Sequence, residues 1–259
     1  TGTLIDPYGG QADLREKVLR HVSPAFEEDP LRILRVARFA ARFPDFAIDA
    51  STIRLMRKMT QSNLLEGLTP ERVYEETKKA LETKNPDRYF KILYEIDVHR
   101  QLWPELKEND TKRLKNWSTD GNPVHAFTIL TANLDLKELS ALTRRLRFPS
   151  IYERTSGLTM KIRKIDLNIA SAADIVNALH ELNAFRSQER FKEASELANT
   201  LNCLDETVPA SKNQWPTYLE AAATVRASSV DSKVLGAAIG EEMRKLQTER
   251  LYRLKKYND

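Results

Sequence analysis

The sequence predicts an all-α protein, an elongated array of roughly ten helices behind one short N-terminal strand. Three observations carry that prediction. Apolar residues recur at helical spacing from residue 11 almost to the C-terminus. Proline directly follows a capping residue at Asp29-Pro30, Thr69-Pro70 and Asn85-Pro86, the pattern of a helix start. Glycine supplies only 8 of 259 residues, few for a chain built on sheets and tight turns.

Taken in order, "TLI" reads as a strand ending in the turn "DPYGG". "ADLREKVLRHV" places Leu14, Val18, Leu19 and Val22 on one helical stripe. Asp29 then reads as N-cap and Pro30 as first residue of a helix carrying Leu31, Leu34, Val36, Ala37, Phe39 and Ala40. "FAIDASTIRLMRKM" follows, capped by Asp49 or Ser51, and further helices begin at Thr69-Pro70 and Asn85-Pro86. Residues 107–124 are polar and turn-rich and read as a connection. Helices resume through "VHAFTILTANL" and "KELSALTRRLRF", then "ADIVNALHEL" and "RSQERFKEASELANTL", with a loop over 205–216 before "TYLEAAATVRA". In the closing segment Leu235, Ile239, Met243 and Leu246 share one face and cations the other.

Composition narrows the chemistry. Cys203 is the only cysteine, which excludes a disulfide framework within the chain and reads as a small buried apolar residue in a reducing compartment. No apolar run approaches the ~18 residues of a membrane span, and no signal peptide precedes "TGTLIDPYGG", so a cytoplasmic protein with no membrane partner is expected. Net charge is +4, with basic clusters at 32–42, 143–147, 161–164 and the C-terminus, a distribution that suits an extended polyanion. There is no phosphate-binding glycine loop, no dinucleotide fingerprint and no paired-aspartate metal motif, and the four histidines are far apart in sequence. His125 reads as a helix-start or packing residue. No catalytic residue and no metal ligand is assigned to this chain.

The informative stretch is "EEDPLRILRVARFAARF", with arginines at 32, 35, 38 and 42. Asp29 and Arg32 lie about one helical turn apart, which puts an acceptor beside a planar fork of donors. Cytosine and adenine each present an amino donor next to a ring-nitrogen acceptor on the Watson–Crick edge. One Asp-x-x-Arg pair therefore complements both. Guanine and uracil present a carbonyl and an N–H there and mismatch both contacts, and a buried group left unpaired costs about 1–3 kcal/mol. Arg35 and Arg38 follow on a slowly winding stripe that reaches phosphates. A solvated face, with these arginines paired to Glu27 and Glu28, satisfies the same pattern.

"LIDPYGGQADL" followed by "LRHVSPAFEEDPLRILRVARFAARF" resembles the bacterial CCA-adding tRNA nucleotidyltransferases of class II. "LTPERVYEETKKAL", "PDRYFKILYEIDVHRQLWPEL", "LTRRLRFP" and "VLGAAIGEEMRKLQTERL" resemble their successive helical segments, so the likeness covers most of the chain. It implies nucleotide-binding roles for Glu28, Asp29, Arg32, Arg35 and Arg38, with CTP and ATP as ligands and tRNA as partner. It also implies a neck over 21–62 that selects the base, a body over 63–150 and a tRNA-binding tail over 151–259, after a linker over 1–20. In the tail Arg244, Lys245, Arg250, Arg253, Lys255 and Lys256 are the candidate phosphate contacts. The family's N-terminal catalytic head, with its Mg²⁺-binding carboxylates, is a further implied partner and has no counterpart in this sequence, so the chain alone is expected to be inactive. A poly(A) polymerase fragment and a non-catalytic tRNA-binding helical module are the alternatives.

Overall fold

The computed structural model describes every residue except 1, 3, 4, 63, 118, 119, 206–212, 232, 233, 235, 237 and 259, and excludes the side chains of 257 and 258. The described residues hold fourteen α-helices and one two-stranded sheet, an all-α protein as expected. They form two compact units, 1–154 and 155–259.

The first unit begins with α1 (Gly10–Glu16), the strand β1 (Val18–Leu19), a 3₁₀ turn (Pro24–Glu28) and α2 (Leu31–Arg42). The strand β2 (Ala47–Ile48) and α3 (Ala50–Gln61) come next, then α4 (Pro70–Leu81), α5 (Pro86–Glu95) and α6 (His99–Leu102). It is completed by α7 (Glu108–Asn116), α8 (Pro123–Leu130), α9 (Leu136–Arg145) and the start of α10 (Ser150–Arg163). α2 is its centre: Ile33, Leu34, Ala37, Ala40 and Ala41 are buried where α2 packs on α4 and α5. The small alanines allow close approach, and the large volume comes from Tyr89, Phe90 and Trp103, whose rings meet edge-on at 5.0–6.0 Å. The second unit holds α11 (Ala172–Glu181), α12 (Gln188–Leu204), α13 (Trp215–Ala223) and α14 (Ala238–Asn258). Ile175, Leu179, Phe191, Trp215, Leu219 and Leu251 anchor its core.

The helices start at Pro70 and Pro86 as expected, with Thr69 and Asn85 in the N-cap positions but without a side-chain cap hydrogen bond, whereas Asp49 caps α3 by accepting from the Ser51 N–H at 2.9 Å. "ADLREKVLRHV" is not one helix: Lys17 adopts φ 55°, its N–H returns to the Asp13 and Leu14 carbonyls, and α1 stops. β-branched Val18 and its neighbour Leu19 then pair in parallel with Ala47 and Ile48, so strand pairing overrides the helical period. The strand expected at "TLI" falls on Thr3 and Leu4, outside the described residues.

Residues 108–116 are helical because the Lys107 N–H donates to Asp110 at 2.7 Å and Leu114 is buried, an apolar anchor too sparse to show as a period. Cys203 is exposed: Ala194, Leu197, Ala198 and Leu201 take the buried face of α12, and Cys203 lies two residues past Leu201, about 200° round the helix. In α14 the fully buried residues are Gln247 and Leu251, while Ile239, Met243 and Leu246 are half-buried and Leu235 lies outside the described residues.

Candidate functional site

On the side of α2 turned away from α4 and α5 lies a cavity of about 1070 Å³. Arg32, Arg35, Val36, Phe39 and Phe43 line it from one face of the chain, the i, i+3, i+4, i+7, i+11 spacing of a helical stripe. This is why Val36 and Phe39, apolar residues of the helix, are only half-buried. The opposite wall is α1, β1 and His21, held by three ties. Arg20 bridges Asp13 at 3.1 Å and Asp49 at 2.8 Å. The Ala47 and Asp49 N–H groups donate to the Lys17 and Leu19 carbonyls at 2.8 and 3.0 Å. The His21 N–H donates to the buried Thr52 hydroxyl at 3.0 Å. Arg88 donates to the Pro44 and Phe46 carbonyls and so holds the turn that carries Phe43 and Phe46.

Asp29 sits at the entrance to α2 in an extended conformation, and the regular helix begins at Leu31, one residue later than the sequence suggests. The capping chemistry is as expected: its Oδ1 accepts from the Leu31 N–H at 3.1 Å and its carbonyl from the Arg32 N–H at 3.0 Å. Oδ2 accepts from Arg72 Nη2 at 2.8 Å. Burial by itself raises the Asp29 carboxyl, but the Arg72 hydrogen bond, the Leu31 N–H and the charges of Arg72 and Arg32 outweigh it and hold the group below the ordinary aspartate value. It is a carboxylate, acceptor-only, throughout the neutral range.

The five sequence-assigned residues separate by place. Arg32 lines the cavity and donates through Nη1 to the Ala25 carbonyl, which fixes its fork. Arg35 lines the cavity and is exposed. Asp29 stands beside Arg72 at the helix entrance and is not among the lining residues; Glu28 is exposed next to it. Arg38 points to the opposite side, where its Nε donates to Glu76 at 2.6 Å, with the two side chains only 13% and 8% exposed, and its guanidinium lies over the Phe39 ring at 4.3 Å. Sequence reading missed Arg72 and Glu76, because nothing in α4 considered alone says which neighbour its first and second turns will meet. It also missed His21 and Phe26, whose rings meet edge-on at 5.9 Å in the cavity wall.

Of the basic residues on α14, Arg244, Lys245, Arg250, Arg253 and Lys256 are exposed, and Tyr252 is exposed among them. Lys255 is half-buried and its Nζ donates to the Leu167 and Ala170 carbonyls at 3.1 and 2.7 Å, so it ties the loop before α11 to α14. Lys255→Met is expected to lower stability by about 1 kcal/mol, measured by urea unfolding. His125 packs at the start of α8, bonded through Nδ1 to Asp120 at 2.6 Å. Among the described residues no three His, Cys, Asp or Glu side chains gather as a metal-holding group. No helix among them is long and apolar enough to cross a membrane.

Known proteins align with this geometry over nearly its whole length. Residues 45–109 match the family described as "Probable RNA and SrmB-binding site of polymerase A". The CCA-adding enzyme of Coxiella burnetii is 35% identical over 254 residues, covering 96% of this chain and 67% of that protein. Among solved structures, a CCA-adding enzyme in apo form I matches with TM-score 0.66 at 21% identity, over 95% of this chain and 61% of that one. The Thermotoga maritima CCA-adding enzyme complexed with tRNA matches with TM-score 0.65 at 23% identity, over 95% of this chain and 63% of that one. These structures share the fold, and the chain spans about two thirds of the length of such relatives. Identity of 35% over 96% of this chain and 67% of that relative is what assigns the lineage: the chain belongs to the family of CCA-adding enzymes.

Proposed function

We propose that this chain is the base-selecting and tRNA-holding part of an enzyme that adds C, C and A to the tRNA 3′ end from CTP and ATP. One observation carries the reading: an ionised Asp29 stands at the entrance of α2, one turn before an anchored Arg32, on a helix whose Arg35 is exposed in a large cavity. Asp29 Oδ2 has a second lone pair beyond the one Arg72 uses, so it accepts an amino N–H of cytosine or adenine while Arg32 donates to the adjacent ring nitrogen. Arg35 meets phosphate. Arg38, committed to Glu76, positions the helix and meets nucleotide only through it.

In this reading residues 21–62 select the base, 63–150 support them and 151–259 grip tRNA through Arg244, Lys245, Arg250, Arg253 and Lys256. The chemical step belongs to a catalytic head whose carboxylates hold Mg²⁺, a cofactor that supplies charge stabilisation and an activated 3′-hydroxyl. What supports a head seated over the cavity is its apolar rim, where Tyr8, Leu14 and Val22 are all more than half exposed. No step of that chemistry is assigned to the residues of this chain.

The reading is tested by titrating the chain with tRNA at two salt concentrations. Binding is expected, and log K is expected to fall linearly with log salt as counterions are released. A chain that shows no affinity at low salt overturns it. The polymerase A wording of the family that matches residues 45–109 favours a second reading, poly(A) addition, and the complete enzyme separates the two. Incorporation of labelled C into tRNA lacking its 3′ CCA supports the first; incorporation of A alone supports the second.

A further inference from the structure

We propose that a groove between the C-terminal ends of α2 and α4 is a separate binding site for the phosphodiester backbone of RNA, with Arg42, Lys79 and Lys84 as its contacts. The groove encloses about 750 Å³ and is walled by the last turn of α2, the last turn of α4 and the turn into α5. Besides Arg38, which lines it while paired to Glu76, three elements deliver cations to it: Arg42 from α2, Lys79 from α4 and Lys84 from the turn. All three are exposed, and among the described residues none has an acidic partner.

The nearby acids are already engaged. Glu76 is taken by Arg38 at 2.6 Å, and Glu82, an acid in the groove lining, pairs with Lys78 at 3.0 Å, so cations remain in excess there. A solvated cation on one helix face is ordinary, but three from different elements facing one concavity repel one another until an anion lies between them. Arg42 is also oriented, its guanidinium lying over the Phe43 ring at 5.9 Å. Asn85, whose side chain does not cap α5, adds a neutral amide donor to the wall.

The lining decides between a nucleotide and a backbone. It contains no aromatic ring and no apolar slot beyond Pro44, so a base has nothing to stack on, unlike the Phe-lined cavity on the other side of α2. Phosphate contact without base contact positions a nucleic acid and carries no sequence information. Lys79, Lys84 and Asn85 also fall within residues 45–109, the region matched by the family described as an RNA-binding site. The inference rests on the reading that this chain holds tRNA.

The test compares two charge-matched triple variants by fluorescence anisotropy with labelled tRNA at two salt concentrations. Arg42→Gln, Lys79→Gln and Lys84→Gln together are expected to weaken binding on the order of tenfold and to make the log K against log salt slope shallower by about 2. Lys112→Gln, Lys115→Gln and Lys137→Gln remove the same charge from exposed positions outside the groove and are expected to change binding by less than about twofold. Equal weakening by the two triples overturns the groove while leaving tRNA binding intact. An unaltered chain that fails to bind tRNA overturns the groove and the functional reading together.

Discussion

Glu76→Gln is expected to lower the stability of the first unit by about 3 kcal/mol. The reason is the neighbour it abandons. Arg38 and Glu76 meet at 2.6 Å with both side chains mostly withdrawn from water, on the packed side of α2 where Ala37 and Ala41 face α4 and α5. A guanidinium cannot shed its proton to escape such a position. Removing the carboxylate charge therefore leaves an uncompensated cation that must either stay poorly solvated or drag the helix toward water. Loss below about 1 kcal/mol in urea unfolding would show that the pair is solvated like a surface pair. The double variant Arg38→Met with Glu76→Leu is expected to recover most of the loss, since a packed apolar pair avoids the desolvation cost. That recovery distinguishes a charge effect from simple loss of contact area.

Asp29→Ala in the complete enzyme is expected to relax discrimination against UTP and GTP on the order of ten- to hundredfold, with a smaller change in the rate for CTP. The magnitude follows from about 1–3 kcal/mol for a mismatched, desolvated hydrogen-bonding group. Removing the side chain also removes the cap on Leu31, which costs about 1 kcal/mol of stability. The ratio of kcat/KM values between CTP and UTP is the right readout, because lost stability lowers both alike and leaves the ratio unchanged. Unchanged selectivity would remove Asp29 from base reading. The sign with pH is also fixed. A carboxyl held below its ordinary value of 3.8 keeps its charge above that pH, so selectivity stays flat across the neutral range and declines only on acidification below that ordinary value.

The two predictions share one helix, and they explain why the arginine stripe reads ambiguously. Positions 32, 35, 38 and 42 look alike in sequence, each a cation at near-helical spacing in an alanine-rich segment. Steps of three residues fall back by about 60° each, which turns Arg38 away from Arg32, whereas Arg42 comes back to within about 20° of Arg35 and is set apart from it by about two turns along the helix axis. Arg32 and Arg35 end at the cavity, while Arg38 and Arg42 end at the groove. A single row of residues thus serves two surfaces.

Much of the fold was legible residue by residue. Proline after a residue in the capping position, apolar residues at helical spacing and scarce glycine determine an all-α chain with starts at Pro70 and Pro86, because these signals act within a turn or two of backbone. The Asp-x-x-Arg spacing likewise determines that an acceptor and a donor fork lie close together at the head of α2. What only the tertiary structure decided is which of these groups remain available. Val18–Leu19 leaves the helical pattern for a strand because Ala47–Ile48 lies alongside it. Asp29 shares its carboxylate with Arg72, 43 residues away in sequence, Arg38 gives its charge to Glu76, and Lys255 closes a loop. Each of those partners comes from a distant element, and hydrogen bonds and ion pairs between elements depend on positions in space that no local spacing encodes.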